Sequence, residues 1–381
     1  MSPTSRALTA AELLSGPRGR RLCLELAGLI AAEDAVESRE GGFAHARFYA
    51  SYELDPGRGQ SVVLVGGDAA PPKFTSAEVA ALLDAVPLSP PSAEVLLQAL
   101  VETVGNARYW QLPDGADNLA ATPEMRRALI RFAQAIVESP HASLWTEPVN
   151  VNGQWSVALT EDPPRPRPEA RPAAEALEQA RLNLILEEFT AARDRPSDPT
   201  ANWGGTWWSR PEGVTGSTGA MPEQGPIGLW LVEDGFGERA ATIEKLDAPT
   251  HPRIYEIDSP DAWAQLCREQ SITVTCSKRH DWYRTTGRSG AWVMPDWQRL
   301  QERYDGVHLS LGGYLRTAGL AIPVGEDFAT VLAGWDPDTT YWLRDVEPIP
   351  GTQQEWELDR EGRWSAEASP EATTDSGMRR D

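Results

Sequence analysis

Cysteine is scarce in this chain of 381 residues, which contains only Cys23, Cys267 and Cys276. An odd and sparse set of cysteines does not provide the disulfide framework that is typical of small secreted domains. The first residues show no sustained apolar stretch with a cleavage site, and no apolar run approaches the ~18 residues of a membrane helix. We therefore expect a cytoplasmic protein with no membrane partner.

Positive charge is also in short supply. The sequence has 35 Lys and Arg against 56 Asp and Glu, which gives a formal net charge of −21. A surface this acidic repels the phosphates of nucleic acids at long range, which argues against nucleic acid as a partner. The charge leaves room for a local basic pocket, so an anionic small molecule or a protein remains the expected partner.

The composition is otherwise that of an ordinary globular protein, with 41% hydrophobic and 24% charged residues. The length favours two globular parts, and four prolines within residues 163–168 exclude a helix or a central strand there. We interpret this stretch as a spacer, with a ligand for a proline-binding groove as the alternative.

The predicted fold class is α+β. It comprises an N-terminal mixed α/β unit at 1–160, a proline-rich linker at 161–172, a tryptophan-rich, strand-dominated C-terminal domain at 173–365 with a leading helix, and a flexible tail at 366–381. Alternating or β-rich segments predict strands at 44–54, 61–65, 153–159, 207–209, 228–234, 253–257, 272–275, 307–311 and 340–343. Capping residues predict helices that begin at Ser76, Ser92, Thr122, Ser259 and Pro295.

Tryptophan is concentrated in the second half. Twelve of the fifteen tryptophans lie between Trp203 and Trp364. Large aromatic rings build the core of a strand-rich domain, and they also suit interfaces and ligand walls. Exposed tryptophans would form a partner surface, so a non-enzymatic scaffold or regulatory interaction protein is one hypothesis for the function.

Residues 277–288 form a local basic segment in this acidic chain, with four cations against the single carboxylate of Asp281. The segment follows a predicted strand and ends in a glycine, so we expect a loop, where binding sites concentrate. Arginine binds carboxylate or phosphate through two parallel hydrogen bonds, and aromatic residues can stack on a ring. The predicted ligand-binding residues are Lys278, Arg279, Trp282, Tyr283, Arg284 and Arg288. The alternative is that these cations pair with the protein's own acidic residues.

The same segment contains a histidine that could take part in catalysis or bind a metal ion. His280 follows Cys276 and precedes Asp281, so it is a candidate general base. Cys276 and His280 supply only two potential ligands, whereas a zinc site needs three or four, so no metal site is predicted. The sequence identifies no cofactor.

Three short sequence elements in the second half of the chain occur in an order that is found in a known enzyme family. Arg253 precedes a strand, Thr275-Cys276-Ser277 follows, and Glu355-Trp356-Glu357 comes last. This order resembles ADP-ribosyltransferases of the Arg–Ser–Glu kind, although Thr275 and Cys276 depart from the S-T-S-like middle element of that family. The resemblance implies that Arg253 binds the NAD pyrophosphate and that Glu357 is catalytic and stabilises an oxocarbenium ion. The leading hypothesis is thus binding of an anionic, nucleotide-like small molecule, with transferase chemistry as its enzymatic form.

Overall fold

The structure is a computed structural model that describes residues 7–34, 39–59, 71–160, 171–235 and 237–367. The first part of the described chain is helical. Its helices are α1 (Ala10–Ser15), α2 (Pro17–Glu33), α3 (Phe43–Leu54), α4 (Ser76–Ala85), α5 (Ala93–Gly105), α6 (Gly115–Ala121), α7 (Pro123–Ala128) and α8 (Ile130–Val137). Two 3₁₀ turns follow, at Pro140–Thr146 and Val151–Gly153.

The helix starts follow the capping rules that the sequence suggested. Thr75 and Glu78 form a reciprocal capping box before α4, Ser92 caps α5, and Thr122 caps α7 ahead of a proline in its first turn. The predicted strand at 44–54 is wrong, because these residues form α3. Phe43, Ala46 and Ala50 are its buried residues, and their spacing is that of one helical face. The predicted strand at 61–65 lies outside the described residues.

Helices and strands alternate in the second part. The helices are α9 (Ala173–Asp194), α10 (Pro260–Glu269), α11 (Thr275–Thr286), α12 (Trp297–Leu300) and α13 (Leu311–Thr317). The strands are β1 (Trp155–Thr160), β2 (Gly216–Thr218), β3 (Ala220–Met221), β4 (Gly225–Pro226), β5 (Ala240–Asp247), β6 (Ile254–Ile257), β7 (Ser271–Thr273), β8 (Ala291–Pro295), β9 (Gly306–Leu309), β10 (Ile322–Pro323), β11 (Phe328–Thr330), β12 (Thr339–Trp342), β13 (Glu347–Pro348), β14 (Gln354–Leu358) and β15 (Trp364–Ala366). The α+β class is confirmed.

The largest sheet has nine strands in the order β15-β14-β5-β1-β2-β12-β9-β6, with β13 also paired to β5. Its β6–β9 pair is parallel, and its other pairs are antiparallel. A second sheet has the order β10-β11-β8-β7, and β3 with β4 forms a short hairpin. Strand β1 precedes the predicted linker, yet it lies inside the sheet between β5 and β2.

One hydrophobic core joins the two parts of the chain. Leu22 and Phe132 from the first helices belong to the same buried cluster as Trp263 and Leu309 from the later elements. Residues 161–170 of the predicted linker lie outside the described residues, so the domain boundaries stay a prediction.

Several strand predictions in the second part need correction. Residues 207–209 form no strand, and their carbonyls accept hydrogen bonds from the side chains of Trp282, Lys278 and Trp297 instead of a neighbouring strand. Residues 228–234 begin in a 3₁₀ turn at Ile227–Leu229 and then run without regular structure. The other strand predictions of this part match β6, β7, β9 and β12, and Ser259 and Asp296 cap α10 and α12.

Candidate functional site

The basic segment at 277–288 is a helix and not the predicted loop. Helix α11 spans Thr275–Thr286 and ends at Gly287, which adopts the left-handed conformation with φ 71°. Its N-cap residue, Val274, offers no capping side chain. The carboxylate of Glu188 on α9 caps the helix instead, since it accepts the backbone N–H groups of Cys276 and Ser277 at 2.8 Å each. A cap supplied from a distant helix leaves no local signal in the sequence.

Lys278 is fully buried and anchors a neighbouring segment. Its Nζ donates to the carbonyl oxygens of Thr206 at 2.7 Å and Trp208 at 2.9 Å. Burial lowers the pKa of Lys278 to about 8. The predicted ligand-binding role therefore has no support from its position, because its charged end faces the backbone of residues 206–208.

Other predicted ligand residues of α11 also bind the protein itself. Arg279 donates to the carbonyl of Pro196 at 2.6 Å, and the indole N–H of the fully buried Trp282 donates to the carbonyl of Trp207 at 2.8 Å. Arg288 donates to the carbonyls of Ala291 and Asp327, at 3.0 Å each. These cations mostly bind backbone carbonyls. The alternative stated from the sequence was that they pair with acidic side chains.

Arg284 is the member of the basic segment that reaches an open space. Its Nε donates to the carbonyl of Trp110 at 2.9 Å, and its Nη2 pairs with Asp281 Oδ1 at 2.5 Å. The other oxygen of Asp281 accepts the backbone N–H of Gly205 at 3.0 Å. Burial raises the pKa of Asp281, and Arg284 opposes that rise. The Arg284 side chain is 22% exposed and that of Asp281 is 2% exposed, so the arginine is the more accessible member of the pair.

Around this ion pair lies a cleft of about 500 Å³, which we call the tryptophan cleft. It is lined by Trp110, Gln111, Asn202, Trp203, Gly204, Gly205, Trp207, Asp281 and Arg284. Its volume falls within the range of ordinary small-molecule sites. The walls come from the α5–α6 connection, from residues 202–207 and from α11, so the cleft depends on the packing of the two parts of the chain.

The tryptophans in the cleft differ from the rest. All fifteen lie within the described residues, and the two that are classed as exposed are Trp110, at 37%, and Trp203, at 42%. Both line the cleft. Trp110 is not among the predicted site residues, because it precedes the spacer and lies outside the tryptophan-rich half of the sequence. The Trp203-Gly204-Gly205 run was a usable signal, since two glycines beside an aromatic residue permit a close backbone approach.

His280 and Tyr283 do not line the cleft. His280 is only 1% exposed, and burial together with Arg279 and Arg284 lowers its pKa. The lowered pKa favours the neutral imidazole, and the role of His280 as a general base stays a prediction. Tyr283 is half-buried on the same helix.

The three sequence elements of the transferase-like pattern do not lie close to each other in the fold. Arg253 pairs with Asp305 at 2.8 Å beside β6, at one edge of the large sheet. Glu357 is exposed on β14 near the opposite edge, and five strands separate β14 from β6. Six strand spacings correspond to about 29 Å. Residues 275–277 begin a helix, so they form no strand between the other two points.

Comparison of the chain with family models, curated proteins and solved structures returned no significant match. Within the described ranges, no helix is long and apolar enough to cross a membrane. The same residues contain no group of three or more His, Cys, Asp or Glu side chains that could hold a metal ion.

Proposed function

We propose that this protein binds a small molecule that combines a flat ring with an anionic group, and that the tryptophan cleft is the binding site. The observation that carries the proposal is the meeting of both exposed tryptophans with the partly exposed cation of Arg284 in one cleft. Exposing an indole ring to water is costly, and such rings are frequent in binding sites.

The walls and the floor of the cleft supply complementary chemistry. Trp110 and Trp203 offer apolar ring faces on which a flat ring can stack. The two hydrogen bonds of Arg284 use two of its five N–H donors, which leaves donors for a phosphate or a carboxylate. The amides of Gln111 and Asn202 add neutral hydrogen-bonding groups at the rim.

The proposal is limited to binding. Among the described residues that line the cleft, the one carboxylate is that of Asp281, which is paired with Arg284 and accepts the backbone N–H of Gly205. Transferase chemistry is not proposed, because Arg253 and Glu357 lie near opposite edges of the large sheet.

Calorimetric titration with AMP, adenosine and inorganic phosphate tests the proposal, with aromatic carboxylates as further ring-bearing anions. AMP, or an aromatic carboxylate, should bind more tightly than adenosine or phosphate alone. Trp203→Ala should weaken AMP and adenosine alike, by about fivefold or more, because stacking is lost from both. Arg284→Gln should weaken AMP by about tenfold or more and leave adenosine unchanged, since only the anion contacts the guanidinium.

Arg363→Gln is a matched control, because Arg363 forms a surface pair with Asp359 at the β14–β15 turn and does not line the cleft. Trp203 is exposed, so its replacement should leave the fold intact. The proposal fails if no ring-bearing anion binds, or if binding is the same in Trp203→Ala, Arg284→Gln and the control.

A further inference from the structure

Helix α9 carries a row of apolar side chains that point away from the protein. Leu182, Ile185, Leu186 and Phe189 are exposed, at 52%, 43%, 65% and 67%. Their spacing of three and four residues places them on one face of the helix, which we call the apolar stripe. The opposite face contains the buried Leu177 and Ala191 and packs against α11 and α12.

The four exposed side chains of the stripe are neighbours on one helical face. Single exposed apolar residues are normal on protein surfaces, but four large ones on one face form a patch of the kind that marks an interaction site. In the packing described above, α9 already buries one face, so the stripe lies free for a partner that presents an apolar helix or groove.

The residues at the two ends of the stripe have opposite charge. Glu178 lies one turn before Leu182, and Arg193 lies one turn after Phe189. An antiparallel copy of the same helix, centred between Ile185 and Leu186, places residue i opposite residue 371 − i. Glu178 then faces Arg193 of the other copy at both ends.

The apolar residues match in the same arrangement. Leu182 lies opposite Phe189 of the other copy, and Ile185 lies opposite Leu186. A parallel arrangement would instead place Glu178 against Glu178 and Arg193 against Arg193. The charges therefore select the antiparallel arrangement, which has the two-fold symmetry of most homodimers.

We infer that the apolar stripe of α9 is an interface with a second copy of this chain, in an antiparallel helix pair. Arg193 pairs with Asp194 at 2.6 Å in the single chain, and both side chains are largely exposed. The pair has two hydrogen bonds, and its exposure to solvent limits its strength, so Arg193 can exchange or share Asp194 with Glu178 of the partner.

Sedimentation velocity of the full chain tests the inference, at concentrations up to the order of 100 µM and an ionic strength of about 0.15 M that screens the net charge. A monomer–dimer equilibrium is expected. The double substitution Leu186→Glu and Phe189→Glu should abolish the dimer, because it places carboxylates at the centre and at one end of the stripe. Leu144→Glu is the matched control, since Leu144 is 72% exposed outside α9, and it should leave association unchanged.

Charge reversal tests the direction of the helix pair. Glu178→Arg alone, or Arg193→Glu alone, should weaken the dimer roughly twofold to thirtyfold, because each surface pair occurs twice. The combination of both substitutions in one chain should restore it. A wild-type chain that stays monomeric, association that survives the Leu186 and Phe189 substitutions, or a double reversal that restores nothing would each overturn the inference.

Discussion

Nδ1 of His308 lies 2.6 Å from Oε2 of Glu256, across the parallel pairing of β9 with β6. On the other side of the ring, Nε2 lies 3.6 Å from Oδ1 of Asp338. Burial alone lowers the pKa of His308, but the nearby carboxylates of Asp338 and Glu256 outweigh that effect and raise it to about 9. A buried imidazolium therefore links two strands and a loop of the large sheet at neutral pH.

This arrangement predicts a pH dependence of stability. Because the folded pKa lies above the ordinary value of about 6.5, the contribution of protonated His308 is complete below that pH and is lost as the pH rises through about 9. His308→Gln should lower the free energy of unfolding much more at pH 6 than at pH 9.5. Urea denaturation at several pH values measures the difference, and an equal loss at both ends would contradict the assignment.

The side chain of Glu233 should also titrate in the folded protein, at a lower pH than His308. Its Oε2 accepts the backbone N–H of Trp335 at 3.0 Å, inside the packing between α13 and the first helices. Burial raises the pKa of Glu233 to about 8, and nearby Asp336 adds to this rise. Tyr314 and Tyr109 face the carboxyl and oppose the rise, as does the charge of Arg18.

For an acid with a raised folded pKa, stability is highest while the group is protonated in both states, below about pH 4.5, and falls as the pH rises towards about 8. Glu233→Gln keeps an acceptor for Trp335 and removes the titration. The variant should melt roughly 2 °C or more above the wild-type chain at pH 8.5, with little difference at pH 5. A difference that is the same at both pH values would show that the carboxyl does not titrate there.

The helices were readable where their signals are local. Ser92, Thr122 and Ser259 cap helices as predicted, because a hydroxyl before an apolar stripe acts within one turn. The segment at 44–54 was misread as a strand, since Phe48, Tyr49 and Tyr52 are typical of strands. The helix is favoured because it packs Ala46 and Ala50 into the core, and this packing outweighs the local strand preference.

The candidate site was only partly readable for a related reason. The composition of the basic segment distinguishes it from the rest of the sequence. Two of its residues, Arg284 and Asp281, line a cleft. The sequence could not show that Lys278, Arg279 and Arg288 donate to backbone carbonyls far along the chain. The sequence also could not place Trp110 beside Arg284, because the two residues are 174 positions apart. Contacts at such separations depend on the tertiary packing.

Close packing at the junction of α13 with β6 leaves no space for a side chain at Gly313. A Cβ atom at this position would lie 2.2 Å from the carbonyl oxygen of Ile257, which belongs to a strand and cannot easily shift. Gly313→Ala should destabilise the protein by about 1–3 kcal/mol, as measured by urea denaturation.

Gly105 provides the matched control, because a Cβ atom at the end of α5 would meet no atom within 4 Å. Gly105→Ala should be neutral or stabilising by up to about 1 kcal/mol, since alanine lowers the entropy of the unfolded chain. If both substitutions cost the same, the contact with Ile257 is not what limits position 313.

Glu188 predicts that a side chain of α9 stabilises the start of α11. Its carboxylate accepts the N–H groups of Cys276 and Ser277 and also the hydroxyl of Ser277, at 2.8 Å. A negative charge at a helix N-terminus also interacts favourably with the helix dipole. Glu188→Ala should cost about 0.5–2 kcal/mol, and Glu188→Gln should cost less because one acceptor oxygen remains.

Hydrogen exchange separates this capping role from a general loss of packing. In Glu188→Ala, the amides of Cys276 and Ser277 should exchange faster, because they lose their acceptor, while amides in the middle of α5 keep their wild-type rates. Exchange that quickens equally in both helices would indicate global destabilisation. Unchanged exchange at Cys276 and Ser277 would mean that water replaces the carboxylate without loss. Since Lys278 and Arg284 project from the same helix to residues 206–208 and to the tryptophan cleft, a frayed start of α11 should also weaken ligand binding there.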